Sequence, residues 1–171
     1  FYSAILGGHE SSASGEYSSV SGGYGGIVTG SYSVVSGGIN NTSEGNYAVV
    51  AGGSGNEALD NFSSIVGGSS NITNDLYTAI LGGKENNAEG SYAAIAGGTE
   101  NTTSGSYAAV SGGKNNSAEG NHSAVSGGFG NTTSGEYSAV SGGYNNNAST
   151  LYGTVSGGES QTTAISSDHK P

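Results

Sequence analysis

The 171-residue sequence contains no cysteine, methionine, tryptophan or arginine, and only one proline and three lysines. The absence of cysteine excludes a disulfide scaffold, a thiolate zinc site and a thiol nucleophile. With three lysines and a formal net charge of −10 at pH 7, the chain lacks the basic patch that binds a phosphate backbone. We therefore expect no nucleic-acid partner. No apolar run approaches the roughly 18 residues of a membrane-spanning helix, so we expect no membrane insertion of this segment.

Glycine, by contrast, is abundant, with 34 residues, and it recurs with the rest of the sequence at a strict period of 15. High glycine with little charge is also typical of flexible low-complexity tracts, but such tracts have no reason to keep a fixed register. We therefore predict an ordered repeat structure. A ring opens each repeat at Tyr2, Tyr17, Tyr32, Tyr47, Phe62, Tyr77, Tyr92, Tyr107, His122, Tyr137 and Tyr152.

Several other positions are fixed when this ring is taken as position one of eleven repeats that run from residue 2 to 166. Position four is always Val or Ile, positions six and seven are always Gly-Gly, and position fourteen is Gly in seven repeats. Position ten is asparagine in eight consecutive repeats, at Asn41, Asn56, Asn71, Asn86, Asn101, Asn116, Asn131 and Asn146.

The repeat length and composition predict an all-β fold. Fifteen residues are too few for a helical repeat or a propeller blade. Tyr137–Ser141 is typical of one short strand and Glu100–Ser104 of a second. The Gly-Gly pair and the position-fourteen Gly would form the two corners, where glycine permits a positive φ. We predict a parallel β-solenoid or β-roll of about eleven coils, about 50 Å long at a coil spacing of about 4.8 Å. Residues 1–166 would form a single repeat array and 167–171 a short C-terminal tail.

The alternation of strand side chains predicts which positions face inward. Positions two, four, ten and twelve would line the core, and the ring at position one would lie outside with positions three and five. The inward asparagines would either form a side-chain hydrogen-bond ladder or adopt a turn conformation with positive φ. We predict that the nine tyrosines of the ring column contact another chain, because so many exposed rings form an unusually large apolar surface. A parallel homotrimer is the expected arrangement, and a monomeric or sheet-stacked rod is the alternative.

No pattern in the sequence is typical of a catalytic or metal site. His9, His122 and His169 lie far apart in sequence and lack matched carboxylates at ligand spacing. No nucleophile elbow or phosphate-binding glycine loop is present. We therefore expect no metal, no cofactor and no enzymatic activity. Position eight is variable and exposed, and Tyr24, Phe129 and Tyr144 are the candidate ligand-binding residues there, the last two by stacking on a sugar ring.

The repeats resemble the head repeats of trimeric autotransporter adhesins, which form a left-handed parallel β-roll. Tyr107–Gly113, followed by Asn116, Ala118 and Gly120, carries the resemblance, which extends over nearly the whole chain. Haemagglutinin-like surface proteins and phage tail fibres have similar repeats. The resemblance implies three associated chains and a head that stands away from the cell. The sequence departs from the usual 14-residue family repeat in its 15-residue length, its doubled glycine and its asparagine column, and it shows no neck, stalk or membrane anchor.

These observations lead to three functional hypotheses. The first is a non-enzymatic extracellular or cell-surface fibre or adhesin segment, a rigid rod that attaches to a host surface, matrix protein or glycan or acts as a spacer. The second is a purely structural filament or phage tail-fibre shaft on the virion. The third is an ice-binding solenoid, although its threonine pairs, such as Thr102-Thr103, fall on alternate coils. Because neither end shows a polar capping coil, we also expect a longer array or end-to-end stacking.

Overall fold

A computed structural model describes residues 2–163, and these form a parallel β-solenoid with no helix. Each coil contributes one strand to each of two sheets, so the predicted fold class is confirmed. The first sheet contains β1 (Ala4–Ile5), β3 (Ser19–Val20), β5 (Val34–Val35), β7 (Val49–Val50), β9 (Ser64–Ile65), β11 (Ala79–Ile80), β13 (Ala94–Ile95), β15 (Ala109–Val110), β17 (Ala124–Val125), β19 (Ala139–Val140) and β21 (Thr154–Val155). The second contains β2 (Ser12–Ala13), β4 (Ile27–Val28), β6 (Thr42–Ser43), β8 (Glu57–Ala58), β10 (Ile72–Thr73), β12 (Asn87–Ala88), β14 (Thr102–Thr103), β16 (Ser117–Ala118), β18 (Thr132–Thr133) and β20 (Asn147–Ala148).

The register between coils is constant. Every paired residue lies opposite the residue 15 positions further along the chain, as Ala94 does with Ala109 and Thr102 with Ser117. Like residues therefore stack on like along the axis, and most backbone hydrogen bonds run between successive coils. The position-fourteen corner adds local bonds, such as the one from the N–H of Ala108 to the carbonyl of Gly105 at 3.2 Å.

The core is a narrow layer between the two sheets. The inward positions two, four, ten and twelve are buried throughout the central coils, as Ala93, Ile95, Asn101 and Thr103 show within one coil. The Val or Ile at position four supplies the largest apolar side chains, since Ile65, Ile80 and Ile95 are fully buried. Burying one such side chain stabilises the fold by about 1.5–3 kcal/mol.

The strands are shorter than we predicted from sequence. Within the predicted strand Tyr137–Ser141, only Ala139–Val140 pairs as a strand, and within Glu100–Ser104 only Thr102–Thr103 does so. Tyr137 and Glu100 instead have positive φ angles of 56° each. Both predictions failed at the ends because left-handed residues turn the chain there, although neither residue type favours that conformation.

The coil also has a third ladder and three corners, where two strands and two turns were predicted. Position eight forms a column of single parallel bridges, such as Lys84 with Thr99 and Thr99 with Lys114. Positive φ angles recur at positions seven, nine and one, as in Gly98 at 91°, Glu100 at 56° and Tyr107 at 58°. The single-residue ladder at position eight therefore lies between two of these corners.

Glycine recurs at two corners of the coil for two different structural reasons. At position seven, Gly98 combines positive φ with close contact, because a Cβ there would overlap the carbonyl oxygen of Gly113. At position fourteen, Gly105 does not have positive φ, so our prediction for this corner was wrong. Its Cβ would collide with the carbonyl group of Gly120 in the next coil. Close approach of two coils, rather than backbone conformation, favours glycine at this position.

The predicted tail 167–171 lies outside the described residues. The same holds for His169 and for residues 164–166 at the end of the predicted array.

Candidate functional site

The asparagines at position ten form a continuous buried hydrogen-bond ladder along the rod. In the coil of Asn101, the backbone N–H donates to Oδ1 of Asn86 at 3.0 Å, and Oδ1 of Asn101 accepts from the N–H of Asn116 at 3.0 Å. The Nδ2 group donates to the carbonyl oxygens of Gly97 and Gly113, both at 3.0 Å. Each amide thus joins its own coil to the next one.

The same bonding pattern holds for the whole ladder. In all eight asparagines Nδ2 donates to the position-six carbonyl of the same coil and to the position-seven carbonyl of the next, at 2.8–3.1 Å. The preceding residue at position nine, and not the asparagine, takes the positive φ. Of our two alternatives the geometry shows the ladder, and its polar groups are paired although they are buried.

The rings at position one stack in an aromatic column of eleven that follows the outside of the rod. Successive centroids lie 4.7–5.2 Å apart with interplanar angles of 1–19°. Phe62 and His122 continue the column in place of tyrosine. The Tyr and Phe rings from Tyr17 to Tyr137 remain 44–52% exposed, so the column is available at the surface. Its predicted contact with another chain stays a prediction.

The sequence did not reveal the backbone conformation of this column. Ten of its residues, from Tyr17 to Tyr152, have φ of 56–61°, which is strained for a bulky side chain by about 1–3 kcal/mol. Two interactions oppose that strain. From Tyr32 to Tyr152 each backbone N–H donates to a carbonyl of the preceding coil, as Tyr92 does to the carbonyl of Leu76 at 2.9 Å. Each inner ring also stacks on two neighbours, and such aromatic pairs contribute about 0.5–1.5 kcal/mol each.

We predict that Tyr92→Ala lowers the free energy of unfolding by about 1–3 kcal/mol, because it removes two stacked pairs at centroid distances of 4.8 Å each. Tyr92→Phe keeps both pairs and should remain within about 0.5 kcal/mol of the parent chain. Urea denaturation followed by circular dichroism measures both. Equal losses for the two variants would contradict a stabilising role of stacking.

The three candidate ligand-binding residues all lie in the position-eight ladder, which we call the position-eight edge. They do not form one site. Phe129 and Tyr144 stack on each other at 5.3 Å and are 38% and 48% exposed. Tyr24 lies several coils away, stacks on His9 at 5.4 Å and donates a hydrogen bond from its hydroxyl to the carboxylate of Glu10. Phe129 and Tyr144 therefore place two six-membered aromatic rings next to each other in this ladder. The two rings face each other along the axis.

Charged groups mark the middle of the same edge. Lys84 Nζ lies 3.0 Å from Glu85 Oε1, and Lys114 Nζ lies 3.8 Å from Glu100 Oε2. The hydrogen bond with the Glu85 carboxylate raises the pKa of Lys84, and its charge adds to that effect. Both pairs are exposed to solvent, so we expect them to contribute little to stability.

Two further tyrosine hydroxyls are affected by their neighbours. The hydrogen bond to Glu10 raises the pKa of Tyr24, with partial burial as the smaller cause. Partial desolvation in the column raises the pKa of Tyr32, with additional effects from Tyr17 and Tyr47. Both hydroxyls therefore stay protonated at neutral pH and can donate hydrogen bonds.

Within residues 2–163 no three or more metal-ligating side chains come together. The same residues include no helix that is long and apolar enough to cross a membrane. No protein-family model matches the chain, and comparison with curated proteins gives no significant match. The architecture is consistent with a β-roll repeat of about 15 residues per coil.

Proposed function

We propose that the chain is a non-enzymatic segment of an extracellular fibre or surface adhesin, a stiff rod that carries a binding edge or acts as a spacer. The unbroken coil-to-coil register from Ala4 to Thr163 is the observation that supports it most directly. Hydrogen bonds along the axis, the asparagine ladder and the aromatic column all connect each coil to the next. Bending would disturb all three together, so the rod resists it.

The family resemblance supports a place outside the cell. The repeats resemble adhesin heads of the trimeric autotransporter type, and such heads hold a binding surface away from their anchor. A structural filament or phage tail-fibre shaft would use the same stiff rod without a ligand. The position-eight edge favours the adhesin, because exposed aromatic rings and charged pairs occur there on a rod that does not need them for its core.

Attachment to a glycan or protein surface through this edge can be tested directly. We expect the double variant Phe129→Ser and Tyr144→Ser to lose at least about tenfold in adhesion to host cells or an arrayed glycan panel, because these two stacked and exposed rings can pack against a sugar ring or an apolar side chain. Binding of the labelled chain measures the change.

The matched control is Ile39→Ser, which removes a 51% exposed apolar side chain from the same ladder away from that ring pair. Unchanged adhesion of the double variant would reject the binding role of the ring pair. If the parent chain adheres to nothing but forms straight rods in electron micrographs, the filament shaft is the better explanation.

A further inference from the structure

The charged side chains are confined to one part of every coil. Within residues 2–163, twelve carboxylates and two lysines all occupy positions eight to fifteen, and positions one to seven carry none in any of the eleven coils. Those seven positions make up nearly half of the repeat, and they include the whole outer side of the first sheet. We call this side, formed by the outward groups of positions one, three, five and six, the uncharged face.

The uncharged face is flat because its side chains are small. Position three is mostly Ala, Val or Ser and position five mostly Ser or Ala, as in Ala94 with Ala96 and Ala109 with Ser111. Exposed apolar groups lie among them, with Val66 at 54% and Leu81 at 59% exposure. The aromatic column forms one margin of the uncharged face along its full length.

Except at Gly142 and Gly157, which have φ angles of 158° and 152°, the first glycine of each pair has no structural requirement within one chain. A Cβ on Gly97 would meet nothing within 4 Å, and its φ is not in the left-handed region, unlike that of Gly98. The same open space is found at position six in ten of the eleven coils, yet every coil has glycine there. A column without side chains permits close approach of another backbone.

We infer that the uncharged face is the surface on which a second copy of this chain docks. Each copy carries ten more carboxylates than lysines within residues 2–163, so like charges would meet on the charged side of two rods. The uncharged face lets two copies approach without burying an unpaired charge. Depletion of charge at the centre of a surface is also typical of protein interfaces.

The area of the face is sufficient for a stable contact. Eleven strands about 4.8 Å apart and a width of five residue steps of about 3.3 Å give about 800 Å² per copy. A standard specific interface buries about 800 Å² on each partner. The aromatic column alone offers a narrower strip, so the contact predicted from sequence at the tyrosines becomes the border of a wider interface.

This inference deepens the proposed function, since it identifies the face through which the rod meets its own copy. The inference and the proposed function can each be contradicted without the other. A rod that adheres to its target but is monomeric would contradict the inference and leave the adhesin proposal standing. An associated rod that binds nothing would contradict the adhesin proposal and leave the inference standing.

Sedimentation equilibrium of the chain tests the inference first. We expect a mass of at least twice the 16.6 kDa of one chain. We also expect at least about tenfold weaker association of the double variant Ala94→Glu and Ala109→Glu, which brings like charges onto the face. The matched control, Thr102→Glu and Ser117→Glu, adds the same charges to the outer side of the second sheet in the same two coils, where Glu57 already occupies this column. Its association should stay within about threefold of the parent.

A second measurement adds no charge to the chain and so avoids the risk that added charges disturb folding. The chain has no cysteine, so Ala79→Cys and Asn87→Cys each introduce a single thiol for a spin label in the same coil, one on each sheet. Face-to-face packing places the Ala79 backbones of two copies about 10 Å apart and the Asn87 backbones about 30 Å apart, from a sheet separation of about 10 Å.

A monomeric parent chain overturns the inference. The inference is also overturned if Ala94→Glu with Ala109→Glu weakens association no more than the control variant does. A shorter distance between the Asn87→Cys labels than between the Ala79→Cys labels would overturn it as well.

Discussion

Gly98→Ala should lower the free energy of unfolding by about 3–5 kcal/mol, the largest effect that we expect from the addition of a single methyl group to this chain. Two costs combine at this position. The φ of 91° is unfavourable for any residue with a Cβ, and that Cβ would overlap the carbonyl oxygen of Gly113. Gly113 accepts the hydrogen bond of the Asn101 amide, so a shift of its backbone also disturbs the ladder. Urea denaturation of the purified variant measures the loss.

The adjacent residue provides the control for this prediction. Gly97→Ala introduces the same methyl group where nothing lies within 4 Å and where φ is not left-handed. We expect its unfolding free energy to stay within about 1 kcal/mol of the parent, and even a small gain is reasonable because alanine restricts the unfolded chain. Both variants must be compared in the same state of association, since docking of a second copy adds to apparent stability. Similar losses at the two positions would contradict the assignment of the corner to position seven.

This pair of glycines also shows how much the sequence could predict. The 15-residue period predicted the parallel coil, its register and its inward positions, because identical residues stack only when the period is constant. The sequence could not distinguish Gly97 from Gly98, since both are glycine in every repeat. The difference lies in the backbone angle and in the distance to the next coil, which depend on how the coils stack.

The aromatic column was similarly predictable in place but not in conformation. Its outward position followed from strand alternation, whereas Tyr92 in fact has φ of 61° and lies in a turn. Tyrosine is depleted in left-handed turns, so no local preference indicated this geometry. Stacking across coils compensates for the local strain, and its strength depends on the neighbouring coils. The candidate edge at position eight was located by exposure alone, and the sequence did not predict that Phe129 and Tyr144 stack on each other.

The second large effect is expected in the ladder, where Asn101→Asp should make stability strongly dependent on pH. The substitution keeps the oxygen that accepts from Asn116, but it turns the donor that faces the carbonyl oxygens of Gly97 and Gly113 into an acceptor. An ionised carboxylate at this fully buried position would face two carbonyl oxygens without a counter-charge. Burial and these contacts raise the pKa of the introduced carboxyl above its value in the unfolded chain.

The sign of the dependence follows from proton linkage. Below the pKa of the unfolded chain the carboxyl is neutral in both states, and the variant then loses the least stability relative to the parent. As pH rises, the unfolded chain releases the proton while the folded chain retains it, so stability falls by up to roughly 1.4 kcal/mol per pH unit until the folded pKa is reached. Between pH 3 and pH 7 we expect an additional loss of about 3–4 kcal/mol relative to the parent.

Thr102→Asp is the matched control for this pH experiment, because it places a carboxyl on the adjacent residue, on the outer side of the second sheet. Its stability relative to the parent should change by less than about 1 kcal/mol over the same pH range, since the group stays in contact with water. Taking the difference from the parent at each pH removes the contribution of the native carboxylates. If Asn101→Asp follows the same pH profile as Thr102→Asp, the amide at position ten does not face the two carbonyl oxygens, and the asparagines do not hold the coils together in the way described above.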